Sequence, residues 1–232
     1  MILKEPLLVI DTENISVPAT WASLALTVAT IVLLAALHIL SPEFDPSWRV
    51  ISEYALGHYG WMLSLMFLAW GLSTWALAWA LRSQLKTKAG KVGLGLLLVA
   101  GLGEAMASVF DVTHEVGHGI AGLLGVVGLP IAALLVSVSL GRTHAWSAVK
   151  RPLLWLAHLT WVSVVLLVLT LVLMTVEFAH ANGGKLPQHA PKSLPAGVLG
   201  LDGWADRLIV VSNCLWAGVV AWQALKLRRK NS

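Results

Sequence analysis

The chain is poor in charge and nearly devoid of cysteine. Only 12% of its 232 residues are Asp, Glu, Lys or Arg, about half the share of an ordinary soluble domain, so most of its length cannot face water. Cys214 stands alone, which excludes an intramolecular disulfide and any CxxC metal or redox motif. Strand-like alternation is missing as well. The stretch LLVLTLVLM, ending at Met174, has almost none, which excludes a β-barrel. No internal repeat is evident, and the opening MILKEPLLVIDTEN lacks the basic start and apolar core of a cleavable signal.

What the chain has instead is apolar residues in long blocks, 57% of the total. Each block approaches the roughly 20 residues that a helix needs to cross a bilayer. The expected spans are about 20–40, 61–82, 92–110, 119–140, 153–178 and 208–227, the first acting as an uncleaved signal anchor. The fold class that follows is an all-α polytopic membrane protein. It is one membrane domain, residues 1–232, built as a bundle of six transmembrane helices with a short interfacial helix and the lipid bilayer as its partner.

Basic residues alternate between the connecting segments. Arg82, Lys86, Lys88 and Lys91 follow the second span, Arg142, Lys150 and Arg151 the fourth, and Lys226, Arg228, Arg229 and Lys230 the sixth. With Lys4 these make twelve of the 16 basic residues on one side, leaving Arg49, Lys185, Lys192 and Arg207 on the other. The positive-inside rule then places both termini in the cytoplasm of a cell whose inner membrane the chain crosses. This distribution accounts for the net charge of +4, so no nucleic-acid partner is implied.

The outer side collects Glu43, Asp45, Glu53, Asp111, Glu115, Asp202 and Asp206 together with His58, His114, His118, His180 and His189, and His38, Glu104 and Glu177 lie near outer span ends. Glu104 is the costly member, because a carboxylate at membrane depth needs a partner, a proton or water. It stands two helical turns before Asp111, on the same face if the third span stays helical that far. In the segment from Ser41 to Gly60, Asp45 followed by Pro46 reads as a helix start, with Trp48, Ile51 and Tyr54 or Ala55 on one face and the Trp and Tyr at headgroup depth. The glycines of the third and fourth spans predict a tightly packed hairpin, and Pro130 a kink. Trp70, Trp75 and Trp79 within the second span read as bulky packing.

His114 to His118 reads HEVGH, an HExxH pattern whose two histidines on one helical face can bind zinc while the Glu acts on metal-bound water. Together with LDG at Leu201 to Gly203, it resembles the membrane-embedded zinc proteases of the site-two type. That resemblance implies His114, His118 and Asp202 as zinc ligands and Glu115 as the catalytic base.

A second resemblance covers nearly the whole chain. It rests on LSPEFDPSWRVISEYALGHYGWM from Leu40, on VFD followed seven residues on by HG (Asp111, His118, Gly119), and on GWADR with a later Trp216. In these the chain resembles the six-span bacterial and archaeal membrane proteins grouped as domain-of-unknown-function family 998. The resemblance implies six spans and no particular activity. Placing those motifs at one end of a bundle predicts that Ser52, Glu53, Tyr54, Glu104, Asp111, His118 and Arg207 gather there, with Arg207 paired to Asp111 or Glu53. The functions compatible with such a gathering are a sensor, an accessory subunit of a larger membrane complex, a small-ligand binder or, with HEVGH and Asp202, a zinc-dependent hydrolase.

Overall fold

A computed structural model describes residues 12–185 and 193–230. Lys4, His189 and Lys192, which entered the charge pattern, lie outside the described residues, as does the opening segment expected to precede the anchor. The helices are α1 (Val17–Leu40), α2 (Gly60–Leu81), α3 (Lys88–Ala107), α4 (Glu115–Gly122), α5 (Gly128–Leu140), α6 (Lys150–Ala181) and α7 (Asp202–Lys230). A π-helical turn, Leu123–Val127, joins α4 to α5 into one span, and short 3-10 helices occupy Ile51–Leu56 and Ser147–Val149. Among the described residues there are no strands. Six helical segments are long and apolar enough to cross a membrane, so the chain is a multi-pass membrane protein.

Local chemistry explains the boundaries. Pro18 sits in the first turn of α1, where a missing N–H costs nothing. Thr87 caps α3 by accepting the Gly90 N–H at 2.9 Å. The third span ends at Ala107, earlier than expected, and Glu104 and Asp111 therefore do not share a helical face. The last span begins earlier than expected, at Asp202, where the Ser47 carbonyl accepts the Gly203 and Trp204 N–H groups of the first turn. Pro130, expected to kink the fourth span, lies in the first turn of α5 directly after the π-turn. Its ring cannot donate to a carbonyl four residues back, and the wider turn absorbs the mismatch.

The helices pack as a closed ring in the order α1, α2, α3, α4 with α5, α6, α7 and back to α1. Since lipid gives no hydrophobic drive between helices, small and hydroxylic residues do the joining. Thr27 and Ser73 bond at 2.7 Å between α1 and α2, and the Trp216 indole donates to Ser137 at 3.0 Å between α7 and α5. The glycine hairpin is present at Gly103, where an added Cβ would stand 2.5 Å from the Gly125 nitrogen. α6 is the least covered helix, with Val165, Val168, Leu169 and Val172 exposed as lipid-facing residues must be.

Buried apolar residues form two clusters, one at each end. Leu77, Leu81, Leu97, Leu140, Trp146 and Trp216 fill the end next to the basic connections. Leu37, Phe44, Ile51, Tyr54, Met66 and Trp70 fill the end that carries the histidines. The segment from Ser41 to Gly60 belongs to this second cluster. Instead of starting a helix, Asp45 closes a turn by accepting the Ser47 N–H at 2.9 Å and the Ser47 hydroxyl at 2.7 Å. Trp48, Ile51 and Tyr54 are all buried instead of lying in the headgroup layer, and Ile51 and Tyr54 share one cluster.

Candidate functional site at the histidine-rich end

The first two turns of α7 organise this end. Gly203 N–H donates to the Ser47 carbonyl at 3.0 Å, and a Cβ at Gly203 would stand 2.7 Å from the Arg49 carbonyl, so only glycine lets the helix start lie on the 46–49 turn. Asp206 accepts the Ile51 N–H at 2.7 Å and so holds the start of the 3-10 helix. Arg207, 5% exposed, fans its guanidinium over four partners. Nε meets His38 Nε2 at 2.6 Å, Nη1 donates to the Arg49 and Gly203 carbonyls at 2.8 and 2.9 Å, and Nη2 donates to the Tyr54 hydroxyl at 2.9 Å. All four are neutral. The expected ion pair with Asp111 or Glu53 is not formed, because the fixed fork of the side chain matches acceptors that the 3-10 helix and α1 already hold in place.

The contact with His38 fixes its tautomer. The Leu34 carbonyl, 2.6 Å from Nδ1, can only accept, so Nδ1 carries the hydrogen and Nε2 presents a lone pair to Arg207. Glu53 pairs elsewhere, with Arg49 Nε at 3.1 Å and the Val50 N–H at 3.1 Å. Burial raises its carboxyl above the ordinary range, and Arg49 and that N–H pull it part of the way back.

Asp111 stands apart on the connection between α3 and α4. The Thr113 hydroxyl and N–H, with a smaller contribution from His114, hold its carboxylate below the ordinary range. His114 is the residue preceding α4, largely exposed, with Nδ1 3.2 Å from Asp111. His118 turns its Nδ1 to the Phe110 carbonyl at 2.9 Å, so Nδ1 carries a hydrogen, and in the neutral ring Nε2 is the acceptor. Glu115 is exposed in the first turn of α4. Asp202 is fully buried at the start of α7, with neither carboxylate oxygen hydrogen-bonded among the described residues. The structure thus does not bring His114, His118 and Asp202 into the zinc set that the motif implied. Among the described residues, no three His, Cys, Asp or Glu side chains form a group able to hold a metal ion.

Between these elements lies a cavity of about 100 Å³. Ser52 of the 3-10 helix, Glu104 of α3, His118 of α4 and Asp206 of α7 supply its titratable and hydroxyl groups. Phe67 and Trp70 of α2 supply two rings, stacked 6.4 Å apart and inclined by 13°. Glu104 is 3% exposed; its Oε2 accepts the Thr74 hydroxyl at 2.7 Å, while its Oε1 is buried with no hydrogen-bond partner among the described residues. A buried acceptor left in that condition costs about 1–3 kcal/mol. The π-turn makes room for the carboxyl: a Cβ at Gly125 would stand 3.3 Å from Glu104 Cγ.

Of the residues expected to gather, Ser52, Glu104 and His118 line one cavity, Tyr54 and Arg207 form the scaffold beside it, and Glu53 and Asp111 make separate local contacts. Sequence reasoning passed over Phe67, counted Asp206 only among the outer carboxylates and read Trp70 as packing. For Asp206 the available signal was its position one helical turn after Asp202 in an apolar span, and for the aromatics their i, i+3 spacing toward one face.

Neither a curated protein nor a solved structure matches the chain. A family model described as "Protein of unknown function (DUF998)" matches residues 19–223. That stretch contains every cavity-lining residue named above, and the chain belongs to this family.

Proposed function

We propose that this protein is an inner-membrane protein with both termini in the cytoplasm whose outward end binds a small ligand in the cavity bounded by Glu104, His118 and Asp206. The observation that carries this reading is Glu104, a cavity-lining residue whose Oε1 is buried with no hydrogen-bond partner among the described residues. In this reading an occupant of the cavity is what satisfies that acceptor. The surroundings suit binding better than chemistry: mostly apolar walls with a few convergent polar groups are the usual make-up of a ligand pocket. A role as sensor or as accessory subunit of a larger complex is the way such binding would be read out.

Access to the cavity tests this reading. Ala107 lines it and is partly exposed. In a Cys214→Ala background, Ala107→Cys is expected to react with a membrane-impermeant thiosulfonate added from the outer side. Gly122 also lines the cavity, and a Cβ there meets nothing within 4 Å. Gly122→Leu is therefore expected to fit and to slow that labelling. Labelling only from the cytoplasmic side, or none at all, would overturn the reading.

A further inference from the structure

Resting on that reading, we infer that the ligand presents a small organic ammonium group, received by Glu104, Asp206 and His118 against the stacked rings of Phe67 and Trp70. The cavity is rich in acceptors and poor in donors. Glu104 contributes a carboxyl whose Oε1 has no hydrogen-bond partner among the described residues, Asp206 a carboxylate with one oxygen already on the Ile51 N–H, and His118 an Nε2 that its bond to the Phe110 carbonyl does not use and that is an acceptor in the neutral ring. Ser52 adds a hydroxyl that can play either part. An ammonium is the complementary group, three donors and no acceptor.

Charge points the same way. Among the described residues no lysine or arginine lines the cavity, and the neighbouring Arg207 has four of its five N–H groups committed to His38, Arg49, Gly203 and Tyr54. Two carboxyl groups on the lining disfavour an anionic occupant, and a cationic one would favour their charged forms. The rings of Phe67 and Trp70 add attraction for a cation and cover for its carbon atoms.

Size then separates an organic cation from a bare ion. Glu104, Asp206 and His118 border the same cavity but do not form a group close enough to hold a metal. An apolar cavity of ~150 Å³ takes up benzene, so 100 Å³ suits a group of about four heavy atoms. Such a group is an aminoethyl or short alkylammonium head. The same chemistry is offered by a free amine in the aqueous phase and by the ethanolamine headgroup of a phospholipid.

The experiment follows Ala107→Cys labelling, in the Cys214→Ala background, on purified full-length protein. In lipid-free detergent, ethanolamine is expected to slow the reaction at least fivefold at saturation, whereas ethylene glycol and acetate, its neutral and anionic counterparts, are expected to leave it unchanged. Glu104→Gln and Asp206→Asn are each expected to weaken the protection by tenfold or more. If either fails to fold, Gly122→Leu serves in its place, since it fills the cavity while keeping both carboxylates. In nanodiscs of phosphatidylethanolamine, slower labelling than in phosphatidylglycerol identifies the headgroup as the source; equal rates identify the free amine, provided that ethanolamine protects. Protection by acetate or ethylene glycol as strong as by ethanolamine overturns the ammonium assignment. So does labelling that neither ethanolamine nor phosphatidylethanolamine slows. In both cases an Ala107→Cys that still labels from outside leaves the pocket itself standing.

Discussion

The Tyr54 hydroxyl accepts a hydrogen bond from Arg207 Nη2 at 2.9 Å, joining the 3-10 helix over the cavity to the second turn of α7. Tyr54 is fully buried and its ring lies 5.5 Å from the guanidinium carbon, so the pair combines a charge-assisted bond with a ring contact. Four neutral partners around one buried cation are an arrangement in which shape matters more than charge. Arg207→Lys keeps the charge but cannot reach His38, Tyr54 and two carbonyls at once, and should cost on the order of 3 kcal/mol of stability. Tyr54→Phe removes one bond and should cost about 1–2 kcal/mol. Thermal unfolding of the purified protein checks the order, wild type above Tyr54→Phe above Arg207→Lys. A lysine variant as stable as wild type would mean that the fork is idle.

Gly103 and Gly95 share α3 but not their surroundings. A Cβ at Gly103 would stand 2.5 Å from the Gly125 nitrogen and 2.7 Å from the Ala121 carbonyl, backbone atoms that cannot step aside, while one at Gly95 meets nothing within 4 Å. Gly103→Ala should therefore destabilise by about 1–3 kcal/mol, the usual cost of overpacking. Gly95→Ala should be neutral or gain up to about 1 kcal/mol from helix propensity. The same unfolding measurement separates them, and equal losses would contradict the hairpin packing.

These two cases show what could be read without coordinates. The six spans were legible because their length and apolarity answer to bilayer thickness, which depends on no neighbour. The glycine hairpin was legible for the same reason: small residues have few other uses where lipid surrounds a helix. The partners of polar side chains were not. Arg207 looked destined for a carboxylate, yet it found two carbonyls, a hydroxyl and an imidazole, because the chain from Ser47 to Tyr54 folds onto α7 and brings them there. The early start of α7 has the same cause, since the Ser47 carbonyl takes up the Gly203 and Trp204 N–H groups. The π-turn left only Gly122, Gly125, Gly128 and Pro130 as its trace, and those residues carry an equally good packing explanation. HEVGH was a true match of residues whose meaning depended on a third group, and Asp202 is not brought to it.

Two carboxylates outside the membrane spans should give opposite pH slopes. The Glu53 carboxyl lies above its ordinary value of 4.5 in the folded protein, mainly through burial. The folded state therefore holds that proton more tightly than the unfolded chain, and stability falls as pH rises from the ordinary value through the raised one. Asp111 lies below its ordinary 3.8, chiefly through Thr113. Its contribution is present above that value and is lost as pH falls through the lowered one. Unfolding of wild type, Glu53→Gln and Asp111→Asn from about pH 3 to pH 8 reads both slopes. Relative to Glu53→Gln, wild type should lose stability with rising pH; relative to Asp111→Asn, it should lose stability only toward the acid end. Parallel curves for either pair would remove the corresponding assignment.

The orientation of the bundle decides which compartment the cavity serves. Lys86, beside the basic cluster at one end, and His114, on the turn above the cavity at the other, are both exposed. Cys214 is buried in α7, so replacing it by alanine yields a background without thiols at modest cost. In that background His114→Cys should react with an impermeant maleimide in intact cells whose outer barrier is opened, and Lys86→Cys only after the inner membrane is broken. The charge asymmetry predicts this pattern, because lysine and arginine near span ends are retained on the cytoplasmic side during insertion. The reverse pattern would turn the cavity inward. It would then offer Glu104 and Asp206 to cytoplasmic cations, and the outer-side labelling expected at Ala107→Cys would have to fail with it. The two labelling experiments thus stand or fall together on orientation, while only the second reports what the cavity holds.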